Sequence, residues 1–315
     1  MKSLTASPEK NGHPRGSELA DSSGPTSSVL RRFLRHPGAM AGSIVLVILV
    51  LAVLFGAFSP YSPNTSSVLE RMQPPTWKHP LGTDGLGRDL MTRILFGGRI
   101  SLTVGLLVVA ISLLLGVSVG ALAGYAGGWI DNLLMRITAA ALTLPSLLVL
   151  ILLSAILREV SLPLFQRSSV LTIAIVIGLL SWMTFARLVR AAFLTLREMD
   201  YVTAAGSLGA SHLRVTVSHI LPNAIGPIIV QSTLQLGYAI IEESGLSFLG
   251  FGIQPPTPSW GNLLSDAQEN FISDPWLAIF PGVMIFLTII SVNYIGDGLR
   301  DAFDPYKLMG DVGEV

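Results

Sequence analysis

Apolar residues along this chain fall in long unbroken runs, not at the alternating spacing of a half-buried strand or the three-and-four spacing of a surface helix. Six intervals lack Asp, Glu, Lys and Arg: Ala39 to Phe58, Ile100 to Ile130, Ile137 to Leu157, Ser168 to Ala186, Ile220 to Ile241 and Pro275 to Gly296. Each reaches or approaches the ~20 residues that a helix needs to cross a hydrocarbon layer. The pattern predicts an all-α integral membrane protein of six transmembrane helices. Arg31, Arg32 and Arg35 stand just before the first run, and basic residues collect on the cytoplasmic side of a membrane. That flank puts both ends inside, with 13 Lys and Arg inside against 7 outside.

Between the runs the chain divides. Residues 1–28, rich in Ser, Gly and Pro, read as a disordered cytoplasmic tail. Residues 29–99 hold the first span and an external loop. A core of 100–300 follows, with a cytoplasmic loop at 198–223, and 301–315 form a cytoplasmic tail. The segment Gly124 to Arg136 reads as a short cytoplasmic connector with Trp129 at the interface, and Pro145 as a kink in the third span.

Composition narrows the function. Half the residues are hydrophobic and 13% charged, outside the soluble range. The net charge of zero gives no basic field for nucleic acid, and the absence of cysteine removes disulfides and thiol chemistry. No Gly is followed by Lys, so the chain has no phosphate loop of its own. No nucleophile with a base, metal cluster or held carboxylate pair suggests an enzyme. His212 and His219 read as surface polarity, and the adjacent Glu242 and Glu243 as a solvated external edge or a contact for a docking protein. Without ionisable groups inside the charge-free runs, a self-powered carrier is disfavoured. Ser112, Thr172, Gln231, Gln235, Ser291 and Asn293 could line a pore or join helices.

The most informative stretch is Glu198 to Asn223. Asp200 is placed to cap a short helix with Tyr201, Ala204, Ala205 and Leu208 on one face, and Gly209 to end it. Ser211 is placed to cap a second helix bearing Leu213, Val217 and Ile220, which Pro222 stops or restarts. Ala204-Ala205, Gly209 and His219-Ile220-Leu221-Pro222, at their spacing, resemble the cytoplasmic coupling loop of ABC importer permeases. One position departs: Thr203 stands where that family commonly has Glu.

Two external strings are similar to the dipeptide, oligopeptide and nickel class of those permeases, in particular the C-type permease of a pair. The first is His79-Pro80-Leu81-Gly82-Thr83-Asp84-Gly85-Leu86-Gly87-Arg88-Asp89, a turn-dense loop leading to a short amphipathic helix over Asp89 to Phe96. The second combines Leu246-Ser247-Phe248-Leu249-Gly250 with Pro256-Thr257-Pro258-Ser259-Trp260-Gly261. The resemblance covers nearly everything after residue 29. It implies a type I importer architecture in a bacterial or archaeal cytoplasmic membrane. It also implies a second homologous permease, two ATPase subunits that carry the ATP and Mg, no cofactor on this chain, and an extracytoplasmic binding protein. Asp200, Tyr201, Thr203, Ala204, Ala205, Leu208, Gly209, His219, Leu221 and Pro222 would then face or shape the ATPase contact. Asp84, Arg88, Glu242, Glu243, Phe248 and Trp260 are candidates for binding-protein or gate contacts. Peptides are the expected cargo, with nickel or another small solute as the alternative. An ATP-independent channel or carrier is the rival from another class, and an intramembrane hydrolase a more distant one.

Overall fold

The computed structural model describes residues 25–159 and 168–304; of the expected tails 1–28 and 301–315, residues 1–24 and 305–315 lie outside the described residues. Among the described residues the chain is helix, turn and loop, with an antiparallel bridge between Thr83 and Asp89. A short helix α1 (Pro25–Arg35) precedes the first span α2 (Pro37–Phe55), so helix begins inside the segment expected to be a disordered tail.

The second span is α3 (Leu90–Ala126), a single helix of 37 residues. At 1.5 Å per residue it is about 55 Å long, well beyond a hydrocarbon layer of about 30 Å. Its first turns are the stretch expected to be a separate amphipathic helix. They are instead buried on several sides, at Leu90, Thr92, Arg93, Ile94, Gly97 and Gly98. Met91 alone is exposed in this stretch, with Leu95 and Phe96 half-buried, and the polar Thr92 and Arg93 point inward.

The third crossing is broken. Helices α4 (Gly128–Leu142) and α5 (Ser146–Glu159) meet at 89°. Pro145 at the break has no N–H to continue the ladder, and Thr143 folds its Oγ1 back onto the Ala140 carbonyl at 2.7 Å. The expected connector at 124–136 is therefore mostly helix, hinged at Gly127 and Gly128, whose φ values are 64° and 57°. Four further elements follow: α6 (Ser169–Leu196), α7 (Asp200–Ser207), α8 (His212–Val215) and α9 (Leu221–Phe248). A π-helical turn, Thr216–Ile220, joins α8 to α9 directly ahead of Pro222, so helix is continuous from His212 to Phe248. An external helix α10 (Trp260–Asp266) precedes the last span, α11 (Trp276–Phe303). Five helices are long and apolar enough to cross a membrane, or six with the bent pair taken as one span.

Helices α3 and α6 form the most extensive pairing. Gly116, Gly120 and Gly124 line one stripe of α3, and Cβ atoms there would lie 2.3 Å from Phe185 Cβ, 2.5 Å from Ala186 O and 2.6 Å from Phe193 Cβ. Small residues four apart let the two backbones approach, which packing in lipid rewards. Around this axis are three apolar cores. An outer one gathers Val53, Leu90, Ile94, Ile240, Trp260, Leu263 and Leu277. A central one contains Val104, Val108, Ile173, Ile177 and Leu246. The cytoplasmic one holds Val189, Phe193, Val202, Val215, Ile220 and Ala224. Outward residues such as Ile44, Ile48 and Leu51 on α2 stay exposed, as lipid-facing side chains do.

Candidate functional site

The cytoplasmic loop forms two short helices at the base of the bundle. Helix α7 starts after Met199, which makes no side-chain cap; Asp200, expected to cap, is already in the first turn, where its charge suits the helix N-terminus. Gly209 ends the helix in left-handed backbone at φ 83°, as its position in the string suggested. Ser211 caps α8, its hydroxyl accepting from Arg214 N at 3.4 Å.

Within α7 the buried residue is Val202, on the cytoplasmic core. The apolar face read from the sequence points away from the bundle: Tyr201 is 42% and Leu208 89% exposed, Ala204 is exposed, and Ala205 is half-buried. Thr203 is exposed too, and its hydroxyl reaches only the Met199 carbonyl of its own turn at 3.4 Å. In the following segment Leu213 and Val217 are exposed while Ile220 turns inward, so those three do not share one side. His219 and Leu221 are half-buried and Pro222 is exposed; the His219 carbonyl accepts from Asn223 Nδ2 at 2.7 Å.

Polar struts hold this loop around a cavity of about 370 Å³ lined by Tyr125, Arg197, Val202, Gly206, Ala210 and His212. Ahead of α7, Arg197 Nη1 donates to the Gly124 carbonyl at 3.2 Å. Behind it, His212 Nδ1 and the Tyr125 hydroxyl share a hydrogen bond of 2.6 Å, with the rings edge to face at 5.6 Å. Both struts land on the last turn of α3. Close by, Arg190 of α6 clasps Asp131 of α4 with two hydrogen bonds, the Nη2 to Oδ2 one at 2.6 Å. His212 is thus a partner of Tyr125 and not simply surface polarity. Among the described residues no three His, Asp or Glu side chains gather as metal ligands.

On the external side the two family-like strings fold inward. Asp84 is the hub of the first: Oδ1 accepts from Leu86 N at 2.9 Å and Arg88 N at 3.0 Å, and Oδ2 accepts from Arg88 Nε at 2.7 Å and from Arg93 Nη1. Both guanidinium groups continue to Asp266 Oδ2 of α10, each at 3.4 Å. Asp266 keeps 43% of its side chain exposed; the apolar neighbours Leu90, Leu263 and Leu277 cover the rest, and this partial desolvation pushes its carboxyl above the usual range, with Arg88 opposing the shift and the charge of Asp84 adding to it.

The second string closes on Glu243. Its Oε2 accepts from Ser101 Oγ of α3 at 2.8 Å and its Oε1 from Ser247 Oγ at 2.7 Å. Ser101 Oγ in turn accepts from Trp260 N at 3.3 Å, and Ser247 Oγ from Ile253 N at 3.0 Å. The Trp260 ring lies against Gly98 and donates from Nε1 to the Ile94 carbonyl at 3.0 Å.

Of the residues expected to make binding-protein or gate contacts, Asp84, Arg88, Glu243 and Trp260 are buried, Glu242 is half-buried, and Phe248 is 39% exposed at the end of α9. Glu242 and Glu243 sit inside a helix, not at a solvated edge. The charge-free run stopped at Ile241 only because the helix carries two carboxylates beyond it. Tyr125, Asp131, Arg190, Ser101 and Arg93 were not singled out, since each finds its partner through tertiary packing.

Residues 116–307 match the family model described as binding-protein-dependent transport system inner membrane component. The chain belongs to that family. The model of the N-terminal TM domain of oligopeptide transport permease C matches residues 24–75. Among relatives, the dipeptide transport system permease protein DppC of Alkalihalophilus pseudofirmus is 45% identical over 75% of this chain and 74% of its own length. A protein of Brucella suis biovar 1 named as a peptide permease is 40% identical over 92% of this chain and 94% of its own. The glutathione transport system permease protein GsiD of Pectobacterium atrosepticum is 38% identical over 87% and 89%. As an inner membrane component with six crossings, the chain is a multi-pass ABC permease of the type I fold. It works with an ATPase and a substrate-binding protein as partners.

Proposed function

We propose that this chain is the C-type permease of a peptide importer, pairing with a second permease chain and driven by two cytoplasmic ATPase subunits that bind ATP and Mg. The observation that carries the reading is the apolar face of α7, with Tyr201, Ala204 and Leu208 exposed at the end of the bundle that the basic flank places inside. An ATPase groove that receives this face would move the loop as a unit, because Arg197 and His212 fix both of its flanks to α3. Helix α3 would carry that motion to Arg93 and Ser101, where the external clusters meet it. Ser101 and Tyr125 lie 24 positions apart on unbroken helix, about 36 Å. Alternating access follows when the ATPases close and reopen.

Peptide cargo is supported by the names of the relatives. Competition of labelled dipeptide uptake by unlabelled peptides and by nickel decides between cargo classes. The coupling contact is tested by cysteine at Ala204, in a chain that has none of its own. The Ala204→Cys protein is expected to crosslink to a copurified ATPase subunit. Reaction of that cysteine with an impermeant reagent added outside intact cells would reject the reading.

A further inference from the structure

Helix α1 has no part in the coupling loop or the external clusters. At 100° per residue its sequence separates around the axis, with Val29, Leu30, Phe33 and Leu34 on one arc and Arg31, Arg32 and Arg35 on the other. The chain breaks between α1 and α2 at His36, which has φ −82° and ψ 107°, and whose Nδ1 accepts from Ala39 N at 3.0 Å. Phe33 before the break and Ala39 after it both approach Gly298 of α11, where a Cβ would lie 3.5 Å from the Phe33 ring and 2.3 Å from Ala39 Cβ. In one straight helix these two residues would be about 9 Å apart along the axis and roughly 120° apart around it. The break therefore turns α1 against the cytoplasmic end of α11 and keeps it from extending α2 into the cytoplasm.

Only part of the apolar arc is covered by that contact. Phe33 is half-buried, whereas Leu30 is 58% and Leu34 52% exposed; Arg31 and Arg35 are exposed as well. We propose that α1 lies in the cytoplasmic headgroup layer of the membrane, with Leu30 and Leu34 against acyl chains and Arg31 and Arg35 on the phosphates of anionic phospholipid. The neighbouring span supports this occupant: the next helix, α2, also leaves large apolar side chains exposed, at Ile44, Val47 and Ile48. Charge supports it too, since a basic amphipathic helix beside a span matches an anionic leaflet, whereas a protein cover would leave the guanidinium groups without evident partners.

A spin label at Leu34→Cys tests the placement in the assembled complex, reconstituted in vesicles containing phosphatidylglycerol. The label is expected to collide readily with oxygen and poorly with a water-soluble nickel chelate. Collision with the chelate should rise several-fold when the vesicles are phosphatidylcholine alone, and likewise when Arg31→Gln and Arg35→Gln are combined. The lipid arm keeps the arginines, so it stands even where the double variant fails to assemble. Shielding from both reagents would overturn the proposal in favour of a protein cover. Equal and high chelate collision in both lipids would overturn it in favour of a helix in water. Neither outcome bears on the coupling contact of α7.

Discussion

Glu243 is the residue whose surroundings say most about how the external half is built. A carboxylate removed from water needs hydrogen bonds at both oxygens, and here hydroxyl groups of Ser101 and Ser247 supply them. Each hydroxyl also takes a backbone N–H, from Trp260 and Ile253. One side chain thus fastens α9 to α3 and to the segment leading into α10. Glu243→Gln can keep both contacts after the hydroxyls rotate, so its thermal midpoint in detergent is expected to stay close to that of the parent. Glu243→Ala leaves hydroxyls without partners, at about 1–3 kcal/mol for each orphaned group, and its midpoint should fall clearly. Equal loss in both variants would mean that the negative charge, and not the hydrogen bonding, is what matters at this position. Thr203 is the contrasting case: it is exposed and bonds only to its own turn, so a carboxylate there is not part of how this loop is held.

At the scale of elements, the hairpin around Asp84 and helix α10 are joined by charge. Arg88 and Arg93 share Asp84 and Asp266 between them. The Asp266 carboxyl lies above the usual range, chiefly through partial desolvation. A carboxyl raised in the folded state holds its proton more readily there than in the unfolded chain. Its contribution therefore favours the folded state at acid pH, and is lost as pH rises from the ordinary carboxylate range through the raised value. Asp266→Asn should flatten this part of the pH profile, read as resistance of the external segment to protease across the acid range. An unchanged profile in the variant would assign the pH dependence to another group. Local signals in the sequence were enough to place several elements. Gly209 ends α7, Ser211 caps α8 and Pro145 breaks the third crossing, because each acts on its own turn. Pairings such as Tyr125 with His212, 87 residues apart, and Ser101 with Glu243, 142 apart, leave no such trace. The charge-free runs underestimated α6 and α9, because Arg187 and Glu242 end the runs while both helices continue past them, to Leu196 and Phe248.

Across the whole molecule, the two struts from the coupling loop to the end of α3 make a specific expectation. Tyr125→Phe removes the hydroxyl that meets His212 while keeping the ring in place. The complex should still assemble and hydrolyse ATP, but the peptide imported per ATP should drop several-fold. His212→Asn, whose amide can stand in for Nδ1, should retain most of the coupling. If transport and hydrolysis instead fall together in Tyr125→Phe, the bond serves stability alone. The six crossings and the cytoplasmic loop were legible at this scale because lipid demands long apolar helices and a positive inner flank. The burial of the first external string was not, since turn-rich sequence looks alike whether it lies on a surface or seals a helix bundle; the apolar Leu246, Phe248, Leu249 and Phe251 did point to part of the second packing back, and Leu246 is buried.

The length of α3 has a further consequence. Its inner end meets the loop at Gly124 and Tyr125, its outer end meets the clusters at Arg93 and Ser101, and the glycine stripe pressed on α6 supports the middle. A rod supported in this way resists bending, so a displacement at one membrane face is felt at the other. Under the proposed pairing with a second permease, this stiffness would act as an interlock against both faces being open together, and so against leakage of ions across an energised membrane.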